Sequence, residues 1–326
     1  MALPYASGNR RSRKLNAITD IDLNPDGAVL NSADGVVSHV RYDSDPGRAY
    51  RAWYKELVPE TPTADAYRSV VLDGARYRAF VYRHQHGVSV SLRALSSSIR
   101  TLDELGFDVP SILSLTAGSG LVVFAGPTSA GKSTTMAACI AALADDGLLG
   151  KAITIEDPIE VDFDHPRIHQ REVGVHVPDF AAGLTSALRQ TPRIIVIGEL
   201  RQPEAAQIAV QAALTGHRVL TTVHAGSVGG AIDRLWSLLD DQHDEMLPGA
   251  LAGVVAQHMV RFPGGTVPVW ETLEIDAPCR ALLAQGSDSI PQLGFHQHRQ
   301  GRGRLVDCAR RLVTQGVPRE SLSSWL

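Results

Sequence analysis

The sequence predicts an α/β protein in which a P-loop nucleotide-binding domain follows a smaller α+β domain. Two observations predict the larger domain: a glycine-rich pattern at residues 126–133, and apolar strands that alternate with helical segments from residue 121 onward. A third observation predicts the smaller domain, because polar and apolar residues alternate between residues 76 and 92 as in an antiparallel sheet. The 326 residues are enough for two domains of ordinary size.

The composition is that of a globular protein, with 44% hydrophobic and 20% charged residues. The net charge of -4 gives no overall sign of a nucleic-acid or membrane-surface partner. No stretch approaches the roughly 18 apolar residues that a membrane-spanning helix needs. The three cysteines lie far apart without the spacing of a zinc site, which fits a reducing compartment. We therefore expect a cytoplasmic protein.

The N-terminal residues 1–14 predict a basic arm, because residues 10–14 contain four cations. Asp20 and Asp22 follow where a signal peptide would be apolar, so we interpret the arm as solvated, with a contact to anionic lipid or to a partner as the alternative. The predicted division is a small domain at residues 15–94, a linker at 95–105 and a large domain at 106–326.

Short strands and turns characterise the small domain. Alternating residues on either side of Gly87 predict an antiparallel hairpin with one solvated face. Residues 67–72 fit either a strand or the end of a helix. The predicted strands are 21–23, 36–40, 76–83 and 88–92, the turn signals lie at 24–27 and 33–35, and a short helix is expected at 102–105 in the linker.

Continuous apolar strands separated by helices characterise the large domain and predict a parallel sheet covered on both faces. Beyond residue 228 the pattern predicts two further helices, at 228–239 and 247–259, and a strand at 267–273. The predicted strands before that point are 121–125, 152–155, 194–197 and 218–223, and the predicted helices are 131–145 and 203–214.

The glycine-rich pattern lies between an apolar strand and a helix, which is the context that distinguishes a P-loop from a chance match. Glycines let backbone N–H groups surround a phosphate, and the following helix adds its positive N-terminal end. The lysine contacts the β- and γ-phosphates of ATP, and the serine hydroxyl binds Mg²⁺. The predicted nucleotide-binding residues are Gly126, Pro127, Thr128, Ser129, Ala130, Gly131, Lys132 and Ser133.

Carboxylates follow two of the predicted strands. Glu156, Asp157 and Glu160 come after one strand, and Glu199 follows another. Ligands bind beyond the carboxyl ends of parallel strands, so we expect these groups to face the phosphate loop. One would hold Mg²⁺ or its waters, and another would orient or deprotonate the attacking water. The alternative is that they are ordinary polar residues at strand ends.

Three pairs of histidines invite a functional interpretation. His217 and His224 bracket one predicted strand and could report on phosphate charge, although they are a poor metal pair because no third ligand is near in sequence. The alternative for each is a structural histidine. His84 with His86, and His296 with His298, are spaced for chelation in a strand, but we interpret both pairs as solvated turn residues.

Taken together, these motifs resemble the secretion ATPase superfamily, which comprises motors of type II secretion, of type IV pilus extension and retraction, and of type IV secretion. The resemblance runs from about residue 21 to residue 283. It rests on the P-loop followed by Thr134 and Thr135, an acidic box at 154–160, segments 170–174 and 187–190, the strand ending at 198–201, a histidine box at 213–224, and Ala256 with Gln257 in a predicted helix.

The resemblance implies a role for each matching residue. Glu199 would be the catalytic carboxylate, while Glu156, Asp157 and Glu160 would organise Mg²⁺ and water. His217 and His224 would sense or contact the nucleotide. Ser133, Asp157 and Glu160 are the metal-binding candidates, and Thr134 joins the loop residues as a nucleotide contact.

The resemblance also implies an architecture: a RecA-like ATPase domain preceded by a small PAS-like domain, assembled as a homohexamer with sites at the cleft between the domains. Arginines of the small domain would contact the phosphates, with Arg93 favoured over Arg83 and Arg78. The alternative for each is a surface arginine on a strand. The expected ligands are ATP and Mg²⁺, and the expected partner is an inner-membrane platform protein, with no nucleic acid.

Several positions depart from the family pattern. Ser129 and Ala130 stand where the family has glycine and serine, and residues 191–193 read Thr-Pro-Arg where the family favours Asp-Pro-Asp. The four-cysteine module of many extension motors is absent. The size resembles retraction motors or Dot/Icm-type motors, but residues 278–282 match the retraction signature only in part, so the subtype stays open.

The sequence therefore predicts a hexameric Mg-ATP hydrolase that acts as a mechanical motor for type IV pilus dynamics or type II/IV secretion, peripheral at the inner membrane through its partners. Two alternatives remain. One is a RecA-like ATPase that translocates nucleic acid, and the other is a nucleotide-binding regulator with little turnover.

Overall fold

The computed structural model describes residues 18–32, 36–58, 65–95, 99–263, 265–300 and 304–326. The predicted basic arm, the turn signal at 33–35 and residues 96–98 of the predicted linker lie outside these residues. The chain divides into two compact units: unit 1 contains Met1–Ser97 and Pro158–Asp162, and unit 2 contains Ser98–Asp157 and Phe163–Leu326. Within the described part of the chain, no helix combines the length and the apolar character needed to cross a membrane.

Unit 1 is built on a six-stranded antiparallel sheet in the order β3-β2-β1-β6-β5-β4. The hairpin predicted about Gly87 is confirmed, with His84 opposite Gly87, and residues 67–72 form a strand rather than a helix end. The elements are β1 (Ile18–Asn24), β2 (Gly27–Ser32), β3 (Val37–Arg41), α1 (Asp45–Leu57), β4 (Ala66–Leu72), β5 (Ala75–His84) and β6 (Gly87–Ala94).

The helix α1, which the sequence patterns did not predict, covers one face of this sheet. The Ser44 hydroxyl caps its first turn by accepting a hydrogen bond from the backbone of Gly47, and a proline lies in that turn, where its missing N–H costs nothing. Tyr50, Trp53 and Leu57 are spaced by three and four residues, so they share one face of the helix and are buried in the core of unit 1.

Unit 2 is built on a seven-stranded sheet in the order β13-β12-β7-β11-β10-β8-β9. All neighbouring strands are parallel except the hairpin of β12 and β13. The strands are β7 (Gly120–Ala125), β8 (Ala152–Glu156), β9 (Ile168–Glu172), β10 (Ile194–Ile197), β11 (Arg218–Val223), β12 (Leu251–Phe262) and β13 (Gly265–Glu274).

Helices cover both faces of this sheet, as predicted. Leu121 and Val123 face one core cluster while Val122 and Phe124 face the other, because successive side chains of a strand point to opposite faces. The helices are α2 (Val109–Ala117), α3 (Lys132–Asp145), α4 (Phe180–Leu188), α5 (Pro203–Leu214), α6 (Val228–Trp236), α7 (Asp241–Asp244), α8 (Leu247–Ala250), α9 (Ala277–Leu283), α10 (Ile290–Arg299) and α11 (Leu305–Thr314), with 3₁₀ turns at Ser287–Ser289 and Arg319–Trp325.

Two predicted helices are wrong. Residues 247–259 form only the single turn of α8 and then the strand β12, which pairs with β7 and β13 and carries Ala256 and Gln257. A short apolar run that is buried on both faces has the same sequence pattern in a helix as in a central strand. Periodicity alone therefore does not distinguish the two. Residues 102–105 form a turn instead of a helix, and the helix of this region is α2.

Candidate functional site

The glycine-rich loop lies where the sequence places it, between the end of β7 and the start of α3. Its backbone passes close to β12: a side chain at Gly126 would place its Cβ 2.5 Å from the Gln257 carbonyl oxygen. The buried Gln257 amide donates a 2.6 Å hydrogen bond to the carbonyl oxygen of Ala130. Ser129 and Gly131 both have left-handed backbone conformations, with φ of 63° and 84°. The strand that sequence reasoning mistook for a helix therefore supports this loop.

The side chain of Lys132 is folded against its own loop. Its ammonium donates hydrogen bonds to the carbonyl oxygens of Gly126, at 2.9 Å, and Pro127, at 3.0 Å. It also lies 3.4 Å from Nδ1 of His224, and the residue is only 8% exposed. A positive charge is therefore held at the centre of the loop by groups that a phosphate oxygen can replace.

His224 connects this lysine to Glu199. Its Nε2 lies 3.2 Å from Oε1 of Glu199, and its Nδ1 faces the ammonium of Lys132. Because a carboxylate only accepts and an ammonium only donates, this geometry suits a neutral imidazole with its proton on Nε2. Lys132, His224 and Glu199 thus form one continuous hydrogen-bonded chain, which we call the Lys-His-Glu chain.

The carboxylate of Glu199 has a second neighbour, which is cationic. Arg201 donates a 2.7 Å hydrogen bond to its Oε2, and the Glu199 side chain is 16% exposed. The pKa of Arg201 is raised above its usual value, chiefly by this hydrogen bond and further by the charges of Glu199 and the exposed Asp157. Glu199 is therefore held between two hydrogen-bond donors, Arg201 and His224.

Glu156 lies at the end of the neighbouring strand β8, where two neutral side chains donate hydrogen bonds to it. Its Oε1 accepts hydrogen bonds from the Thr154 hydroxyl, at 2.5 Å, and from the Gln170 amide, at 3.0 Å. The amide of Gly198 donates to the carbonyl oxygen of Ile155, which keeps the ends of β8 and β10 adjacent. The structure therefore brings both glutamates and the loop to the same edge of the sheet, where parallel strands bind ligands.

His217 lies at the opposite end of the parallel strands, directly before β11 begins. Its carbonyl oxygen accepts a hydrogen bond from Gly120, at the start of β7, and its Nδ1 lies 3.2 Å from the carbonyl oxygen of Ala212. The six residues of β11 separate it from His224, a span of roughly 20 Å. The structure therefore does not bring His217 to the phosphate loop of its own chain, because residues that bracket a strand lie at its two ends.

The arginine candidates all belong to unit 1. Arg78 lies 3.0 Å from Glu160, and Arg93 lies 2.7 Å from Asp20. The hydrogen bond with Asp20 is the main cause that raises the pKa of Arg93. Arg83 is exposed near the end of β5. Glu160 falls within the short segment that groups with unit 1, so the structure separates it from Glu156 and Asp157, which belong to unit 2.

A cavity of about 290 Å³ adjoins the start of α3, and sequence reasoning missed it. Gly131 and Thr134 line one side. Phe107 and Trp270 stack with ring centres 5.2 Å apart, and the guanidinium of Arg311 lies 5.0 Å from the centre of the Trp270 ring. These three residues are far apart in the sequence, so no local motif signalled the cavity.

The two remaining histidine pairs occupy different structures. His84 ends β5 and its Nε2 lies 2.8 Å from the Ser89 hydroxyl, while His86 follows in the turn. His296 and His298 were expected in a turn, but both lie on α10. Residues two apart on a helix point to different sides, so these two do not converge on one ion.

Relatives of this chain are found among secretion and pilus proteins. The family model described as type II/IV secretion system protein matches residues 77–309. The uncharacterized protein YggR of Escherichia coli is 36% identical over 259 residues, covering 72% of this chain and 78% of YggR. The type IV pilus retraction ATPase PilT of Pseudomonas aeruginosa is 34% identical over 234 residues, covering 67% of this chain and 65% of PilT.

The crystal structure of the pilus retraction motor PilT with bound ADP is similar to this chain at a TM-score of 0.80 and 27% identity. The similarity covers 95% of this chain and 93% of that structure. It confirms the predicted fold class, an α/β protein with a RecA-like ATPase domain preceded by a smaller N-terminal domain. The sequence matches confirm the resemblance to the secretion and pilus motors.

Proposed function

The chain belongs to the type II/IV secretion system protein family of motor ATPases, and on that premise we propose that it is a hexameric Mg-ATP hydrolase that drives a pilus or secretion machine. The observation that carries this proposal is the Lys-His-Glu chain, which connects the phosphate-binding loop to a carboxylate on a neighbouring strand. A loop alone supports nucleotide binding, whereas a loop linked to a carboxylate supports hydrolysis.

The residues at this edge fit a triphosphate and its metal ion. The loop offers backbone N–H groups at a helix N-terminus, and Lys132 exchanges the carbonyl oxygens of Gly126 and Pro127 for phosphate oxygens. Ser133 and Asp157 supply the oxygen ligands that Mg²⁺ prefers, with Glu156 alongside to hold a metal-bound water. When bound, Mg²⁺ neutralises the charge that develops on the phosphates. Glu160 as a metal ligand stays a prediction of the resemblance.

Glu199 acts on the attacking water. Its carboxylate orients the water and accepts its proton, which requires that it give up one of the donors it holds in this structure. Movement of Lys132 toward the phosphates frees Nδ1 of His224, so the imidazole can move together with the Glu199 carboxylate, keep its hydrogen bond from Nε2 and aim the carboxylate at the water. The Lys-His-Glu chain thereby makes the Glu199 carboxylate available as a base when the phosphates of the nucleotide fill the loop.

The cavity beside α3 suits the nucleoside. Gly131 and Thr134 connect it to the phosphate loop, and the half-buried side chains of Met259, Val267 and Pro268 in its lining offer an apolar surface for a flat base. The nearby Arg100, Asp103 and Glu104 provide polar groups at the rim. Phosphates and base thus have adjoining places within unit 2.

The mechanical role follows from family membership. A relative named as a pilus retraction ATPase and a structure named as a retraction motor support work on a pilus or secretion apparatus. We propose a cytoplasmic ring that acts on an inner-membrane platform protein, in which arginines such as Arg93 sense the bound phosphates. Work is then done because nucleotide binds the states of the cycle with unequal affinity.

The test is a comparison of Glu199→Gln with Glu204→Gln, an exposed glutamate in the first turn of α5. We expect Glu199→Gln to bind ATP as the wild type does and to release phosphate at least about 100-fold more slowly, the usual contribution of a general base. Glu204→Gln should match the wild type in both measurements. Undiminished phosphate release by Glu199→Gln would refute the assignment.

A further inference from the structure

A second cluster of ligating side chains lies in unit 2, at the start of α9. Asp276, Cys279 and His296 each direct one ligand atom toward the others, and these atoms all lie within 4.8 Å of one another. Cys279 is fully buried, while Asp276 and His296 are half-buried. None of the three belongs to the proposed nucleotide site. We propose that they bind a zinc ion that fastens α9 to α10.

The local fold brings two of the ligands to one side of a helix turn. Asp276 is the N-cap of α9, and its carboxylate accepts a 3.0 Å hydrogen bond from the backbone N–H of Cys279. The cap position and the third residue of a helix lie on the same side of its first turn, as in the familiar capping hydrogen bond. The carboxylate and the thiol are therefore adjacent before any metal binds.

The third ligand comes from the helix α10, which packs against α9. His296 lies in its last turn and faces Asp276 and Cys279, whereas His298 is exposed on another side of the same helix. Because the three ligands come from two separate helices, a metal ion bound to them would cross-link the helices. Two neighbouring ligands on one helix would not do so.

Gln300 supports the ligands from outside the cluster. Its Nε2 donates to Oδ2 of Asp276 at 3.1 Å and lies 3.9 Å from the sulfur of Cys279. The same amide donates to the carbonyl oxygen of Glu274 and accepts from its N–H, so its orientation is fixed. This fixed amide holds the Asp276 carboxylate and the Cys279 sulfur in place beside each other.

The donor set selects the metal. Thiolate, imidazole and carboxylate together suit zinc, whereas Ca²⁺ and Mg²⁺ prefer oxygen ligands alone. In a tetrahedral zinc site the ligand atoms lie about 3.5 Å apart, so these atoms, which lie within 4.8 Å of one another, would need to close by at most roughly 1.3 Å. Three protein ligands leave the fourth position for water, on the half-exposed side of the cluster.

The test measures zinc bound to the full, untagged chain without nucleotide. After equilibration in a zinc-buffered solution and removal of free metal, we expect one zinc ion per chain in the wild type and in His298→Ala, the matched control on the same helix. We expect less than about a tenth of that amount in His296→Ala and in Asp276→Asn, because each loses one of three ligands. Asn still caps a helix, so Asp276→Asn keeps the local fold.

A second readout identifies the sulfur ligand. Replacement of zinc by Co²⁺ should give a sulfur-to-cobalt charge-transfer absorption in the wild type and in His298→Ala, and none in Cys279→Ser. Added zinc should raise the melting temperature of the wild type and leave that of Asp276→Asn unchanged. A wild-type chain without stoichiometric zinc, or equal zinc in Asp276→Asn and His298→Ala, would show that the cluster is only a thiol–carboxylate contact.

Discussion

The ends of β8 and β10 lie side by side at one edge of the large sheet, and each carries a glutamate in a different setting. The Oε1 atom of Glu156 accepts hydrogen bonds from a hydroxyl and an amide. Glu199 is held by Arg201 and His224, and through His224 it is connected to the lysine of the phosphate loop. The donors from Thr154 and Gln170 are neutral, whereas Glu199 is connected through His224 to the charge in the loop.

On the proposed function, this difference would separate metal positioning by Glu156 from proton transfer by Glu199. A carboxylate fixed by neutral hydrogen bonds keeps its geometry through a reaction cycle, which suits a group that holds water or metal. A carboxylate in a cationic chain changes its surroundings when the lysine moves, which suits a base that must act only when substrate is bound.

The largest expected effect comes from removing the ammonium group of Lys132, the cation at the loop end of the Lys-His-Glu chain. Lys132→Ala deletes a charge-assisted contact to the phosphates, so ATP affinity should fall about 100-fold. Lys151→Ala is the control, because Lys151 precedes β8 at the other edge of the sheet and bonds the carbonyl oxygen of Gln190. Binding of a fluorescent ATP analogue measures both. Equal affinity in the two variants would place the phosphate site elsewhere.

The comparison of the two glutamates is sharpened by Glu156→Gln. The new amide keeps the shape and one acceptor oxygen but loses the negative charge, so we expect phosphate release to slow about tenfold. The loss should be smaller than in Glu199→Gln, and extra Mg²⁺ should recover part of it because metal affinity is what weakens. Steady-state phosphate release measured at increasing Mg²⁺ concentration tests this recovery. A loss of rate that does not change with Mg²⁺ concentration contradicts the metal-positioning role of Glu156.

A smaller effect, on stability, is expected from Gln257, which lies on β12 beside the phosphate loop. Gln257→Met removes the hydrogen bond to Ala130 in a buried place, which should lower the free energy of unfolding by about 1 kcal/mol. Gln285→Met loses a similar side-chain contact, to Ala281, at an exposed position and should leave stability unchanged. Denaturant unfolding measures the free energy of unfolding of both variants. A wild-type value in Gln257→Met would mean that β12 does not support the loop.

The smallest effect concerns the residue by which this loop departs from its relatives. Ser129 has φ of 63°, a conformation that costs a non-glycine residue about 1 kcal/mol. Ser129→Gly removes this strain but adds freedom to the unfolded chain, so stability should rise by no more than about 0.5 kcal/mol. Ser129→Ala keeps the Cβ and should show no rise. A larger gain in Ser129→Ala would assign the effect to the hydroxyl instead.

The sequence predicted what depends on local pattern. The loop, the parallel strands and the placement of Glu156 and Glu199 at one edge follow from strand ends and the topology of parallel sheets. The strand β12 was mistaken because its apolar run is buried on both faces. His217 looked equivalent to His224, yet a strand length separates them. The cavity at Trp270 and the cluster at Cys279 depend on residues brought together only by tertiary packing.

The central claim is that Lys132, His224 and Glu199 act as one connected group, and a single-turnover measurement on His224→Ala tests it most directly. With ATP already bound, we expect the rate of phosphate formation to fall at least about tenfold, while ATP affinity changes less than about threefold. This outcome follows if His224 relays the state of the loop to the carboxylate. A wild-type rate of phosphate formation in His224→Ala would contradict the claim.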